Sequence, residues 1–349
     1  MSNSTGQTAS TRLGEIDVLR GLAALAVVVF HFTGHLHRYM TDFPFDFQLG
    51  HYGVQMFFVI SGFFIFMTVE KCRNAREFLA LRFSRLYPVY WATLAAWMAY
   101  EVLIAHQHPW LRAYFWNATM LQAFVGEGDI DIVFWSLAVE MTFYGLMALL
   151  MVTGAIRHAV AVTVLWLFVA NLWPLVIDVP AVQFPVIKTL AGVLVYAPYF
   201  VGGMVFHLLR KSAWKTPMPG LGVLALCVLT AWNTGGTEIG VVAAVVFVLM
   251  GLALSGKLRL LVAAPTLWLG AISYSLYLVH RNVGYVALFK LHALGVDSRI
   301  SFFIVLAGVL ALASAFTFWI ERPSLRYLRL WQSRRQALRS ANQSTTLAS

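Results

Sequence analysis

Val18-Leu-Arg20-Gly-Leu-Ala-Ala-Leu-Ala-Val-Val-Val-Phe30-His31-Phe32 reads as a membrane span except at two positions. Arg20 and His31 put ionisable side chains at a depth where each costs about 3 kcal/mol or more, which makes both functional candidates from the outset. Their eleven-residue separation turns a helix through roughly 1100°, about 20° beyond three full turns. The two side chains therefore share one helix face, about 16 Å apart along the axis at ~1.5 Å per residue. A guanidinium near one surface and an imidazole further along the same wall suit a charged molecule that enters at one side and reacts deeper in.

The rest of the chain has the same character. It is 60% hydrophobic and 11% charged, with a mean hydropathy of +0.74. Soluble domains carry about 25% charged residues, so the composition describes a polytopic membrane protein and excludes a large soluble core. Ten apolar segments follow one another at about 18–38, 52–70, 87–105, 132–153, 158–178, 189–209, 219–233, 239–255, 266–288 and 300–320. Most approach the ~20 residues that a spanning helix requires. The expected fold is all-α, with about ten transmembrane helices. The first segment lacks a small-residue cleavage site after it, so it reads as a retained span.

Loop charge orients the segments. With the N-terminus inside, the inner loops hold Lys71, Arg73, Arg76, Arg82 and Arg85, then Arg157, Arg210, Lys211 and Lys215, and the tail adds six arginines from Arg322 to Arg339. Outer loops hold only Arg38, Arg112, Lys188, Lys290 and Arg299. This is the asymmetry of the positive-inside rule, and it places both termini in the cytoplasm. It also accounts for the net charge of +10: the cations line membrane surfaces, and nucleic acid is not an expected partner. Arginines interleaved with Leu and aromatics over Leu325–Trp331 fit a helix lying on anionic headgroups. The long outer segment 106–131, with Trp110, Tyr114, Phe115 and Trp116, is expected in the interface or folded back into the protein. Cys72 and Cys227 are too few and too far apart for a disulfide framework or a thiolate metal site.

Several polar groups within the apolar segments could carry chemistry. Counting from segment edges puts His31 about 20 Å up and Glu140 about 12 Å down from the opposite side, at similar level in a hydrocarbon core of ~30 Å. A carboxylate accepting from one imidazole nitrogen would leave the other free as a base. The alternative is a buried pair that only satisfies itself. Arg82 and Arg85 are i, i+3 neighbours and could grip a phosphorylated donor by bidentate contacts, although arginines at an inner helix end also serve topology alone. Ser273, Tyr277 and His280 fall at i, i+4, i+7, one inward polar stripe, which could equally be interhelical glue. The Ser61-Gly62 pair reads as a small-residue packing site.

Some familiar signatures are absent or weak. No Gly-x-Ser-x-Gly elbow and no phosphate-binding glycine loop occurs. His31 and His35 have zinc-like spacing, with His37 nearby, but the glutamate of the metalloprotease motif is missing, and no metal site is expected. His37 and Asp42 match a short His-x4-Asp pattern in an outer loop, and Asn3, Asn117 and Asn342 head glycosylation sequons; both patterns carry little information.

Together the motifs match one family. Arg20-x10-His31, Phe57-Phe58-Val-Ile-Ser61-Gly62-Phe63, Arg82-x-x-Arg85-Leu-Tyr87-Pro88, Trp135-Ser136-Leu-x-x-x-Glu140 followed by Phe143-Tyr144, Ile272-Ser273-Tyr274-Ser275-Leu-Tyr277-Leu-x-His280 and Glu321-Arg322-Pro323 run in order from about Glu15 to Leu328. In this the chain resembles the acyltransferase-3 family of integral membrane O-acyltransferases, which modify bacterial envelope glycans and some small molecules. The resemblance implies a membrane domain over 18–322, between a cytoplasmic segment 1–17 and a basic cytoplasmic tail 323–349. It implies an acyl-CoA co-substrate, acetyl-CoA foremost, approaching from the cytoplasm, and no permanently bound cofactor. It casts His31 as the base, with Arg20, Arg82 and Arg85 binding the donor or shaping the site. Added to the residue-level reading, Glu140 orients His31, and Tyr144, Ser273, Tyr277 and His280 contact substrate. The expected acceptor is a saccharide or lipid-linked glycan hydroxyl, and the expected location a bacterial inner membrane among its lipids. Direct transfer and a transient acyl-histidine both fit. A transporter or flippase, with His31, Glu140 and Arg281 as a proton relay, is the alternative from another class.

Overall fold

The computed structural model describes residues 13–40, 43–177, 179 and 183–327. The described part is helical throughout, without strands. Eleven α-helices follow in order: α1 Gly14–Tyr39, α2 Gly53–Val69, α3 Ala75–Leu103, α4 Leu111–Ala118, α5 Trp135–Thr153, α6 Ala159–Val176, α7 Pro185–Val195, α8 Ala197–Arg210, α9 Met218–Leu254, α10 Ala264–Ala293 and α11 Ser298–Phe316. Each of the ten apolar segments falls on helix. Six helices among the described residues are long and apolar enough to cross a membrane, and the bent pair α7–α8 makes a seventh if it counts as one span. α3 and α10 fall outside that set, and they carry Arg82, Arg85, His280 and Arg281. At ~1.5 Å per residue both are still more than 40 Å long. The expected helix over 325–331 and the sequons at Asn3 and Asn342 lie wholly or partly outside the described residues, as does Asp42.

Local chemistry sets the helix ends. Asn74 caps α3 by accepting from the Glu77 N–H at 3.0 Å, while Glu77 reaches back to the N–H of Arg73, just before the cap, at 3.0 Å, a variant of the reciprocal cap that fixes the helix start. Asp297 caps α11 through the N–H groups of Arg299 and Ile300. In α9 the helix breaks at Gly236, with φ +81°, a conformation that glycine reaches without a side-chain clash. A Cβ on Gly240 would lie 3.0 Å from the Trp232 side chain, so the chain doubles back there and separates the expected segments 219–233 and 239–255.

Packing centres on α1, α2, α8 and α10. Between membrane helices association rests on close van der Waals contact, because lipid tails are as apolar as the side chains. The glycines show it. A Cβ on Gly21 would lie 2.5 Å from the Gly270 nitrogen, and one on Gly270 would meet the Asp17 carbonyl oxygen, so α1 and α10 touch backbone to backbone. Gly62 meets the Phe200 carbonyl and Gly203 the Val59 carbonyl in the same way, joining α2 to α8. Gly62 thus has the packing role expected of it.

The segment after α3 folds back along that helix. Tyr87 and Trp91 donate to the carbonyls of Thr119 and Ala118, each at 2.8 Å. The sequon asparagine Asn117 is fully buried, and its amide joins Gly128 and Ile130. It organises the loop and is closed to a glycan.

Candidate active site

Residues from α1, α2, α3, α5 and α10 enclose a cavity of about 100 Å³. Its polar lining comprises Arg20, Ser61, Arg82, Arg85, Glu140 and Tyr144, with Ser136, Ser273, Tyr274 and Tyr277 at the α5–α10 side. Three guanidiniums and a carboxylate thus meet inside an apolar bundle, where each unpaired charge would be costly.

Most of these groups are already tied. Arg20 donates from Nε to Ser273 Oγ at 3.0 Å and from Nη2 to the Gly270 carbonyl at 2.9 Å, and it pairs with Asp17 at 2.8 Å. Arg82 donates to the Thr68 hydroxyl and lies 5.9 Å from the Tyr144 ring centroid. Glu140 accepts the hydroxyls of Ser61 and Tyr144 at one oxygen, both at 2.9 Å. Arg85 differs: it forms no hydrogen bond or ion pair among the described residues and lines the cavity with its guanidinium uncommitted. The carboxylate of Glu321, in the last turn of a π-helix over Thr317–Glu321, sits beside Ser275 and feels the charges of Arg85 and Arg20.

His31 does not line this cavity, and the expected pair with Glu140 does not form. The His31 Nδ1 and the Tyr285 hydroxyl share a hydrogen bond of 3.3 Å. The reason is depth. Tyr277 meets Ser136, one turn before Glu140, at 2.7 Å, and His280, one turn beyond Tyr277 on α10, is the residue whose ring lies 5.2 Å from that of His31. α1 also begins at Gly14, a turn earlier than the apolar pattern suggests, which carries His31 further toward its far end. The order along the bundle is therefore Arg20, then Arg85 and Glu140, then Tyr277, then His280 and His31.

The polar stripe on α10 is real but divided. Ser273 and Tyr277 face the cavity, whereas His280 is fully buried, donates from Nδ1 to the Tyr277 carbonyl at 2.9 Å and lies tilted at 43° to the His31 ring. Tyr144 lines the cavity. His35 stacks on Tyr285 with centroids 4.1 Å apart, and His37 Nδ1 faces the Phe43 carbonyl, so neither imidazole is turned to share a metal with His31. Among the described residues no group of three or more His, Cys, Asp or Glu is placed to hold a metal.

Sequence reasoning passed over Tyr285, whose only signal is its i+4 relation to Arg281, and it took Ser61 for packing alone. It gave Asp131 no role either. This buried residue accepts from the Arg281 guanidinium at 3.4 Å and from the Asn282 N–H at 3.1 Å. A larger cavity of about 290 Å³ between α3, α10 and α11 is apolar, and Asp131, the single acid lining it, is consumed by these contacts.

A family model described as an acyltransferase domain matches residues 13–319. A protein of Acidianus two-tailed virus named "Putative acetyltransferase ORF330" is 26% identical over 127 residues, which are 36% of this chain and 37% of the viral protein. No solved structure matches.

Proposed function

The chain belongs to the acyltransferase-3 family, and from that premise we propose that this multi-pass membrane acyltransferase moves an acyl group, acetyl foremost, from acyl-CoA to a hydroxyl of a saccharide or lipid-linked glycan. The proposed setting is a bacterial inner membrane with Arg85 at the cytoplasmic side. The observation that carries the reading is the convergence of Arg20, Arg82 and Arg85 with Glu140 on one cavity inside the bundle, ahead of His31 along the same axis. Such a site offers cations for a phosphorylated donor and a space of about 100 Å³ that suits a slender thioester arm. Arg85, which forms no hydrogen bond or ion pair among the described residues, is the first contact for the donor's phosphates.

The arm then extends past Tyr277 toward His31. There the His31 Nε2, which has no hydrogen-bond partner among the described residues, accepts the proton of the acceptor hydroxyl. The oxygen forms its bond to the thioester carbon as the carbon–sulfur bond breaks. The proton passes from the imidazolium to the departing thiolate, so an ester and free CoA result.

The experiment uses the full chain in detergent with labelled acetyl-CoA and a panel of saccharides, following CoA release and labelled product. Transfer is expected without any gradient, and loss of it in His31→Ala with an unchanged melting profile supports the base role. Full turnover in His31→Ala overturns it. Labelled solute that moves only between two sealed compartments, with no new ester, identifies a transporter instead.

A further inference from the structure

A base on a helix face needs something to fix its ring, and Glu140 is occupied elsewhere. The structure offers a different anchor. The Tyr285 hydroxyl meets the His31 Nδ1 at 3.3 Å, with the two rings nearly perpendicular at 70°. Tyr285 is itself held: the His35 ring stacks on it at 4.1 Å, and the Arg281 guanidinium lies 4.8 Å from its centroid. A cation over a tyrosine ring attracts the ring's negative face. Arg281 is in turn anchored by Asp131 at 3.4 Å, and Asp131 is fixed by the N–H groups of Val133 at 3.3 Å and Asn282 at 3.1 Å. A continuous series, Asp131 to Arg281 to Tyr285 to His31, thus runs from the start of α5 through α10 to α1. The other ring near His31 forms no hydrogen bond to it among the described residues: His280 spends its Nδ1 on the carbonyls of Tyr277 and Leu276, and its Nε2 is left without a partner.

We propose that Tyr285 is the positioning residue of the base: its oxygen accepts from the His31 Nδ1–H, sets the ring's rotation and tautomer, and leaves the Nε2 lone pair toward the acceptor, while the Arg281–Asp131 pair keeps Tyr285 in place. The inference rests on the reading of His31 as base. An imidazole that carries its proton on the wrong nitrogen, or turns away, cannot take the hydroxyl proton at Nε2. The role is the one that a carboxylate plays beside a catalytic imidazole elsewhere, performed here by a phenol backed by an ion pair.

Tyr285→Phe removes one oxygen and keeps the ring that stacks on His35, so the fold has little reason to change. With the full chain in detergent, acetyl-CoA and the saccharide panel, kcat is expected to fall by about tenfold to a hundredfold while the KM for acetyl-CoA stays within about twofold. Asp131→Asn is expected to give the same split with a smaller loss. A second measurement does not depend on turnover. Diethyl pyrocarbonate acylates free imidazole nitrogens, and peptide mass spectrometry at His31 should show more doubly modified product in Tyr285→Phe, because Nδ1 is released. An unchanged kcat in Tyr285→Phe beside an inactive His31→Ala overturns the inference and leaves the base reading standing. A raised KM with unchanged kcat, or an unaltered modification pattern, overturns it too. Full activity in His31→Ala removes the base reading and this inference with it.

Discussion

Arg20 on α1 donates to Ser273 on α10 across 3.0 Å, at the level where Gly21 and Gly270 bring the two helices into backbone contact. This arginine is committed to architecture. Its Nε and Nη2 are bound to α10 and its charge to Asp17, whereas Arg85 in the same cavity has no such ties. The two should separate in experiment. Arg20→Ala removes the guanidinium that ties Ser273 and the Gly270 carbonyl on α10 to Asp17 on α1, at a cost of about 1–3 kcal/mol, and is expected to lower the melting temperature as well as activity. Arg85→Ala should leave melting unchanged and raise the KM for acyl-CoA by about tenfold, the worth of one charge-assisted hydrogen bond. Equal melting temperatures for the two variants would contradict this division.

Glu140 gives a second test. Its Oε1 accepts from both Ser61 and Tyr144, and it lies in the guanidinium-lined cavity, removed from His31. Glu140→Gln preserves shape and removes the negative charge among three cations. The variant is expected to change the KM for acyl-CoA more than kcat, as a donor-site residue does when uniform binding is altered. A collapse of kcat with KM untouched would return Glu140 to the immediate surroundings of the base.

The contrast between these residues explains what the sequence could and could not convey. Apolar length located the long helices, because burial in lipid demands about twenty apolar residues wherever the chain crosses, but it missed the short α4 in the outer segment and the break between α7 and α8. The cavity residues Arg20, Arg82, Arg85, Glu140, Tyr144, Ser273 and Tyr277 stood out because polar groups are rare at such depth. Pairings did not stand out. Whether His31 meets Glu140 or Tyr285 depends on offsets of one helical turn, about 5.4 Å, and edges read from hydropathy drift by that much. Tyr285 was hidden for another reason: a tyrosine toward the end of a membrane helix is ordinary interfacial composition.

The contact between α1 and α10 can be probed by volume alone. Gly21→Val adds a branched side chain where even a Cβ would stand 2.5 Å from the Gly270 backbone nitrogen. Backbone cannot rotate aside as a side chain can, so the helices must separate. Overpacking of this kind costs about 1–3 kcal/mol, and separation would also pull Arg20 from Ser273. Reduced folded yield on size-exclusion chromatography is expected for Gly21→Val. Gly145→Val, at a position with no atom near its missing Cβ, should express normally. Similar yields for both variants would show that the close approach is not required.

A pH dependence follows from the loop that folds back on α3. Burial pushes the Asp129 carboxyl up from 3.8 to about 6, against the hydrogen bond from Gln122 at 2.7 Å and with a further push from Asp131. A carboxyl that titrates higher in the folded protein than in the unfolded chain weakens folding once it ionises. The loop should therefore be firmest below pH 4, loosen as the pH climbs from 3.8 to about 6, and change little above that from this group. Asp129→Asn cannot ionise, so it should be firmer than the parent at pH 7 and lose the pH response. Hydrogen exchange over residues 122–131, measured at pH 5 and pH 7 with intrinsic rates corrected, reads this directly. Greater protection of the parent at pH 7 than at pH 5, or an Asp129→Asn variant that exchanges faster at pH 7, would mean that the carboxylate stabilises the loop in its ionised form.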